Sequence, residues 1–157
     1  MKKLILLIFV LTMTLSACTM TAAKNPLSYQ SGAICAEVTL EKNGTRISAV
    51  LRLGPESESS PRDAEMIFSS PEGLRVIRKN GICSAEIGGV SVSPDPKLFL
   101  LCDLFSIHGE IISVKAREIV VSVGQEQYTV CFDLNGRPVR ILGEGFALDI
   151  LWIEGEK

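Results

Sequence analysis

The chain has 157 residues, with 16 basic and 18 acidic side chains, one histidine and five cysteines. Its formal charge of −2 and lack of any basic cluster argue against nucleic acid as a partner. A single histidine excludes a multi-histidine metal site, and His108, beside Gly109 after an apolar run, reads as a helix-end residue rather than the base of a Ser-His-Asp triad.

The first elements in chain order are not those of a folded domain. Lys2 and Lys3 precede an apolar stretch, Leu4 to Val10, which is diluted by Thr12 and Thr14 and followed by Leu15-Ser16-Ala17-Cys18. This is the layout of a secretory signal. Its end resembles the lipobox of bacterial lipoproteins. The resemblance implies cleavage after Ala17, diacylglycerol on the Cys18 sulfur, an N-acyl chain on the new terminus, and attachment to the membrane from its outer side. The apolar stretch is too short for a spanning helix of about 20 residues. Residues 1–17 are therefore expected to be a signal peptide and 18–32 a lipidated N-terminus and flexible tether. Residues 33–157 are expected to form one domain. Without Lys2 and Lys3 the mature chain carries 14 basic against 18 acidic residues, or −4. That gives no second, electrostatic membrane anchor, so the acyl chains alone must hold it.

From Ala33 onward the pattern is mostly strand. Asn43-Gly44, Asn80-Gly81 and Asn135-Gly136 each read as a two-residue type I′ hairpin turn, which needs positive φ at both central residues. The first turn places Leu40 opposite Ile47, Val38 opposite Ala49 and Ala36 opposite Leu51 on one face. Glu41–Arg46, Thr39–Ser48 and Cys35–Arg52 then share the other. The second pairs Val76 with Ala85 and Leu74 with Ile87 inward, with Arg75 meeting Glu86 outward. The third pairs Phe132 with Val139 and Val130 with Ile141 inward, with Cys131 opposite Arg140 outward. Three hairpins with one dry and one wet face predict an antiparallel meander. Gly54 to Arg62, rich in Ser and Pro, reads as a surface loop, and Gly88-Gly89 as a turn or bulge.

Between the second and third hairpins, Asp95 can cap a helix that starts at Pro96. Leu98 to Ile107 is apolar on nearly every side and Gly109 is a plausible stop, so a buried helix across the dry face is expected. A central strand at Leu98 to Leu101 is the competing reading. Strands resume at Ile111–Val114, Ile119–Val123, Tyr128–Phe132, Pro138–Leu142 and Phe146–Ile153.

A lipobox, a meander, a strand ending in Ser-Pro (Ala64 to Leu74) and an Asn-Gly-x-Pro hairpin (Tyr128 to Pro138) together resemble the half-barrel proteins related to the periplasmic lipoprotein carrier. That resemblance implies a curved antiparallel sheet around an apolar concavity, with acyl-chain binding in several members. It carries over no site residue. The carriers' long N-terminal helix has no counterpart in Thr19 to Ser31, and the carriers are soluble rather than tethered.

The fold class expected is thus mainly β (α+β), a curved meander or half-barrel with one apolar helix over its concave face. Val76, Phe99, Leu101, Val130 and Phe132 are the candidate ligand-lining residues. Cys83–Cys102 on the dry face and Cys35–Cys131 on the wet face are the disulfides that avoid crossing the sheet, and four free thiols are the alternative. No Cys-x-x-Cys spacing suggests a metal, and no cofactor is implied beyond the lipid on Cys18. No catalytic residues are expected. Two functions compete: a membrane-anchored binder of an apolar ligand, and a structural or sensory envelope lipoprotein with a filled core and a protein partner. A cavity of several hundred cubic ångströms between helix and sheet favours the first.

Overall fold

A computed structural model describes residues 26–56, 61–70, 72–94 and 99–154. The signal segment, Cys18, and the helix start at Asp95 to Leu98 lie outside the described residues. Eleven strands form one antiparallel sheet: β1 (Ile34–Lys42), β2 (Thr45–Leu53), β3 (Ala64–Phe68), β4 (Leu74–Lys79), β5 (Ile82–Ile87), β6 (Val90–Val92), β7 (Glu110–Lys115), β8 (Glu118–Val123), β9 (Glu126–Phe132), β10 (Pro138–Gly143) and β11 (Phe146–Trp152). Their spatial order is β6-β5-β4-β3-β2-β1-β11-β10-β9-β8-β7, so two meanders are joined where the first strand pairs with the last. The sheet is open, with β6 and β7 at its edges.

Turn chemistry sets the hairpins. Asn43 and Gly44 have φ of 52° and 76°, and Asn80 and Gly81 have 51° and 76°, as type I′ turns require. The register expected around both turns is the register found. The third hairpin differs. The Asp133 carboxylate accepts hydrogen bonds from the backbone N–H groups of Asn135 (2.8 Å) and Arg137 (2.9 Å), which widens the loop and leaves only Gly136 at positive φ. Pro138 therefore pairs with Phe132 where Val139 was expected, and a bulge at Val139 restores the Cys131–Arg140 and Val130–Ile141 pairs. The same backbone bonds, that of Arg137 foremost, hold the Asp133 pKa below its usual value.

Alternation on the strands buries one face. Ala36, Val38, Leu51, Met66, Val76, Val121, Val130, Ile141 and Leu148 all point into a single core. The outer face is polar, with Thr39 hydrogen-bonded to Ser48 (3.0 Å), Glu65 bridging Arg52 and Arg75, and Arg140 beside Asp149. Such exposed ion pairs contribute little stability, and their use is to hold the wet face apart from the dry one.

Residues 99–107 lie over the dry face. The helix within them, α1, spans only Leu100–Asp103, far shorter than the expected Leu98 to Ile107. After Asp103 the backbone closes two successive turns, Phe105 N–H to the Cys102 carbonyl and Ser106 N–H to the Asp103 carbonyl. The cause is the all-round apolar pattern. A straight helix would turn one side of it to solvent, whereas the turns direct Phe105 and Ile107 down into the core, where both are buried. Phe99 meets Arg78 of β4, with the guanidinium 5.4 Å from the ring centroid, and Leu104 and Ile107 border a cleft with Tyr128 of β9. β4 and β9 are six strand spacings apart in the sheet order, about 29 Å if it were flat. A segment this compact reaches both wings because the sheet is rolled into a half-barrel.

The tether expected at 18–32 is docked at its C-terminal end. Ser28–Ser31 forms a short 3-10 helix, buried Gln30 donates to the Ile107 carbonyl (3.1 Å), and the Tyr29 ring packs edge-on against Phe132. At the other end of the covering segment, a Cβ on Gly109 would overlap the Ser122 carbonyl oxygen and sit 2.9 Å from the side chains of Val121 and Val123. Gly109→Ala is accordingly expected to cost about 1–3 kcal/mol, read as a lowered denaturant midpoint at unchanged slope.

Candidate functional site

The core is filled under the middle of the covering segment and open at one rim. There, the end of β1 (Leu40, Lys42), the end of β8 (Val123), the starts of β9 (Glu126, Gln127, Tyr128) and β11 (Phe146), and Asp103, Leu104, Ser106, Ile107 and His108 enclose a cleft of about 560 Å³. Its floor is apolar, built from Leu40, Leu104, Ile107, Val123, Tyr128 and Phe146, while Lys42, Glu126, Gln127 and Glu144 lie at the margin. The Tyr128 and Phe146 rings lie 6.3 Å apart at 51°. Phe146 takes its position because Gly143 has no side chain, as a Cβ there would overlap the ring. The Tyr128 hydroxyl donates to the Glu126 carboxylate, and that bond raises the Tyr128 pKa.

A smaller cavity of about 280 Å³ adjoins the cleft, and Asp103, Ser106 and His108 line both. Its remaining walls are Glu56, Pro61, Arg62 and Arg78. Arg62 is only 5% exposed. Its Nε donates to the Gly54 carbonyl and one terminal nitrogen, Nη2, to the Gly32 carbonyl. The other, Nη1, is buried with no hydrogen-bond partner among the described residues. Arg78 donates to the Arg62 carbonyl (2.8 Å) and pairs with Asp103 (3.3 Å), and His108 Nε2 lies 3.0 Å from Glu56. Burial lowers the Arg62 pKa from the guanidinium value, opposed by nearby Glu56, yet an arginine keeps its charge.

The residues proposed from sequence fall elsewhere. Val76, Val130, Phe99 and Leu101 are buried in the core, and Phe132 is half-buried against Tyr29; none of the five lines the cleft. Val76 and Val130 lie within their strands, Leu101 in α1 and Phe99 just before it, all in the filled core, while Phe132 ends β9 and the cleft opens at that strand's start. The open volume sits where the covering segment leaves the sheet, and no local sequence signal marks that point.

The expected cysteine pairs are not formed. Cys131 shares its cross-strand row with Arg140, Asp149 and Thr39, four residues along β1 from Cys35. That separates Cys35 from Cys131 by about 14 Å across three strands and about 13 Å along them. A disulfide cannot span this distance, since it needs Cα atoms within about 7 Å. Cys102 is a buried thiol with its Sγ 3.6 Å from Met66 Sδ, whereas Cys83 is an exposed one at the start of β5, next to the Asn80-Gly81 turn. Among the described residues no group of three His, Cys, Asp or Glu side chains could hold a metal ion, and no helix is long and apolar enough to cross a membrane.

No protein-family model and no curated protein matches the sequence. Among solved structures the chain is similar to MucB in the MucA/MucB complex of Pseudomonas aeruginosa, at 15% identity and a TM-score of 0.47 over 80% of this chain and 53% of that one. It is also similar to MucB in complex with MucA(peri), at 14% identity and a TM-score of 0.48, and to MucB alone, at 15% and 0.45. The chain spans about half the length of these MucB chains. No residue role passes from them to this protein.

Proposed function

We propose that this chain is a lipid-anchored extracytoplasmic protein whose half-barrel holds an apolar ligand of the acyl-chain class, without catalysing a reaction. The observation that carries this reading is the cleft of about 560 Å³ between the covering segment and the sheet, apolar within and polar at its margin. That size and lining are usual for small-molecule sites. The Leu15-Ser16-Ala17-Cys18 lipobox supports the anchor and the extracytoplasmic side. An envelope protein acting through a protein partner is a second reading, favoured by the open edge strands β6 and β7, where Val90 and Val114 are 64% and 68% exposed.

Two measurements test the first reading. Labelled fatty acid should be incorporated covalently by wild type and not by Cys18→Ser, and equal incorporation by both would refute the anchor. An environment-sensitive fluorescent fatty acid should be bound by the folded protein. Leu104→Glu, which places a charge on the cleft wall, should weaken that binding at least tenfold, because an unpaired carboxylate beside an acyl chain is costly to desolvate. Absence of binding by wild type would remove the ligand role and leave the partner reading.

A further inference from the structure

We infer that the cleft and the Arg62 cavity form one composite site for an anionic amphiphile, with the acyl chain in the cleft and a carboxylate or phosphate headgroup at Arg62. This rests on the acyl-binding reading above and names the ligand class that the same site selects. Three observations converge. The first is the orphan donor: Nη1 of a side chain 95% removed from solvent has no partner among the described residues, although two neighbouring donors of the same guanidinium are satisfied by Gly54 and Gly32. Leaving a buried N–H of a charged group unmet is unfavourable, and an anionic oxygen entering the cavity that Arg62 lines is its natural acceptor once a small side-chain shift uncovers Nη1.

The second observation is the charge arrangement. Both carboxylates in the wall already have a partner, Asp103 an ion pair with Arg78 at 3.3 Å and Glu56 a contact with His108 Nε2 at 3.0 Å that balances its charge only when the imidazole is protonated. Among the described residues, no carboxylate lies in ion-pair range of Arg62. Glu56 thus acts on the Arg62 charge only from beyond ion-pair distance, and no carboxylate of the wall occupies Nη1. The third is continuity. Asp103, Ser106 and His108 border both cavities, so an amphiphile can lie with its chain among Leu104, Ile107 and Phe146 and its head beside Ser106 and Arg62. A neutral chain would fill only the apolar part, and a free anion only the polar part.

The test uses the chain from residue 18 onward carrying Cys18→Ser, delipidated, with displacement of a neutral fluorescent dye by dodecanoate, dodecanol and dodecylamine. Dodecanoate should bind at least tenfold more tightly than dodecanol, and dodecylamine most weakly, as a charge-assisted hydrogen bond in a buried setting implies. Arg62→Gln should bring dodecanoate and dodecanol to within about threefold of each other. Because Arg62 also holds two backbone carbonyls, Ser106→Asp serves as a second variant that keeps the guanidinium and sets a carboxylate beside it. It too should abolish the preference. Equal affinity of wild type for dodecanoate and dodecanol, or a preference that survives Ser106→Asp, would overturn the headgroup site while leaving the acyl reading intact. Failure of all three ligands to bind would overturn the acyl reading itself. Displacement of dodecanoate but not of dodecanol by inorganic phosphate supports a headgroup pocket open to solvent. Phosphate binding with no effect on dodecanoate would show a separate free-anion site and refute the composite one.

Discussion

Phe105→Ala is expected to lower the free energy of unfolding by about 3–5 kcal/mol. Phe105 is fully buried and heads the largest such side chains of the protein. It descends from the turn after α1 into the half-barrel, where the closing bond from its own N–H to the Cys102 carbonyl fixes its backbone. Truncation loses the transfer energy of the ring and leaves a void that a hydrogen-bonded sheet cannot close. Against a typical total of about 5–15 kcal/mol this is a large fraction. Phe99→Ala should lie in the same range, because Phe99 is buried beneath Arg78 and does not border the cleft. Leu104, half-buried on the cleft wall, offers the contrast: Leu104→Ala should cost about 1 kcal/mol, since space is already present beside it. Denaturant midpoints for the three variants check the ranking. A loss below about 1 kcal/mol for Phe105→Ala would mean that the covering segment is not packed on the sheet.

Thiol reactivity carries the second large effect. Burial pushes the Cys102 pKa up from 9.0 to about 12, with nearby Arg78 opposing the rise. At pH 8 the thiolate fraction is then lower than that of an ordinary cysteine by a factor of about 1,000, before access is considered. Cys83 is exposed at the start of β5, beside the hairpin turn. An alkylating reagent should therefore modify Cys83 within minutes and Cys102 only as the protein unfolds, readable by peptide mass spectrometry. Rapid modification of Cys102 in the folded protein would contradict its placement against Met66. The same shift has a consequence for pH. A thiol whose folded pKa exceeds its unfolded value binds more protons in the native state between pH 9 and 12, so stability must fall as pH rises through that window. Tyr29, raised from 10.0 to about 12 by burial, adds to the fall above pH 10.

The legible part of the fold was local. Asn-Gly turns and period-two alternation specified the β1–β2 and β4–β5 registers residue by residue. They failed at Asn135-Gly136 because the Asp133 side chain competes for the turn's backbone donors, which a pattern of apolar residues does not show. The β1–β11 junction is a pairing of distant strands, and no periodicity encodes it. At the site, an apolar interior was readable but its unfilled part was not. Lys42, Glu126 and Gln127 at the margin look like any hairpin residues. Arg62 closes a Ser- and Pro-rich stretch that reads as a surface loop, yet it is buried beneath carbonyls supplied by Gly32 and Gly54. Composition cannot distinguish a solvated arginine from one held by backbone oxygens far away in sequence.

The most direct measurement is hydrogen–deuterium exchange of the folded chain with and without dodecanoate. A ligand lying from the cleft to Arg62 should slow exchange in residues 104–108, in the starts of β9 and β11, and in the backbone on either side of Arg62, while the outer edges β6 and β7 stay unchanged. Protection confined to those edges, or none at saturating dodecanoate, would contradict a half-barrel that binds an acyl chain.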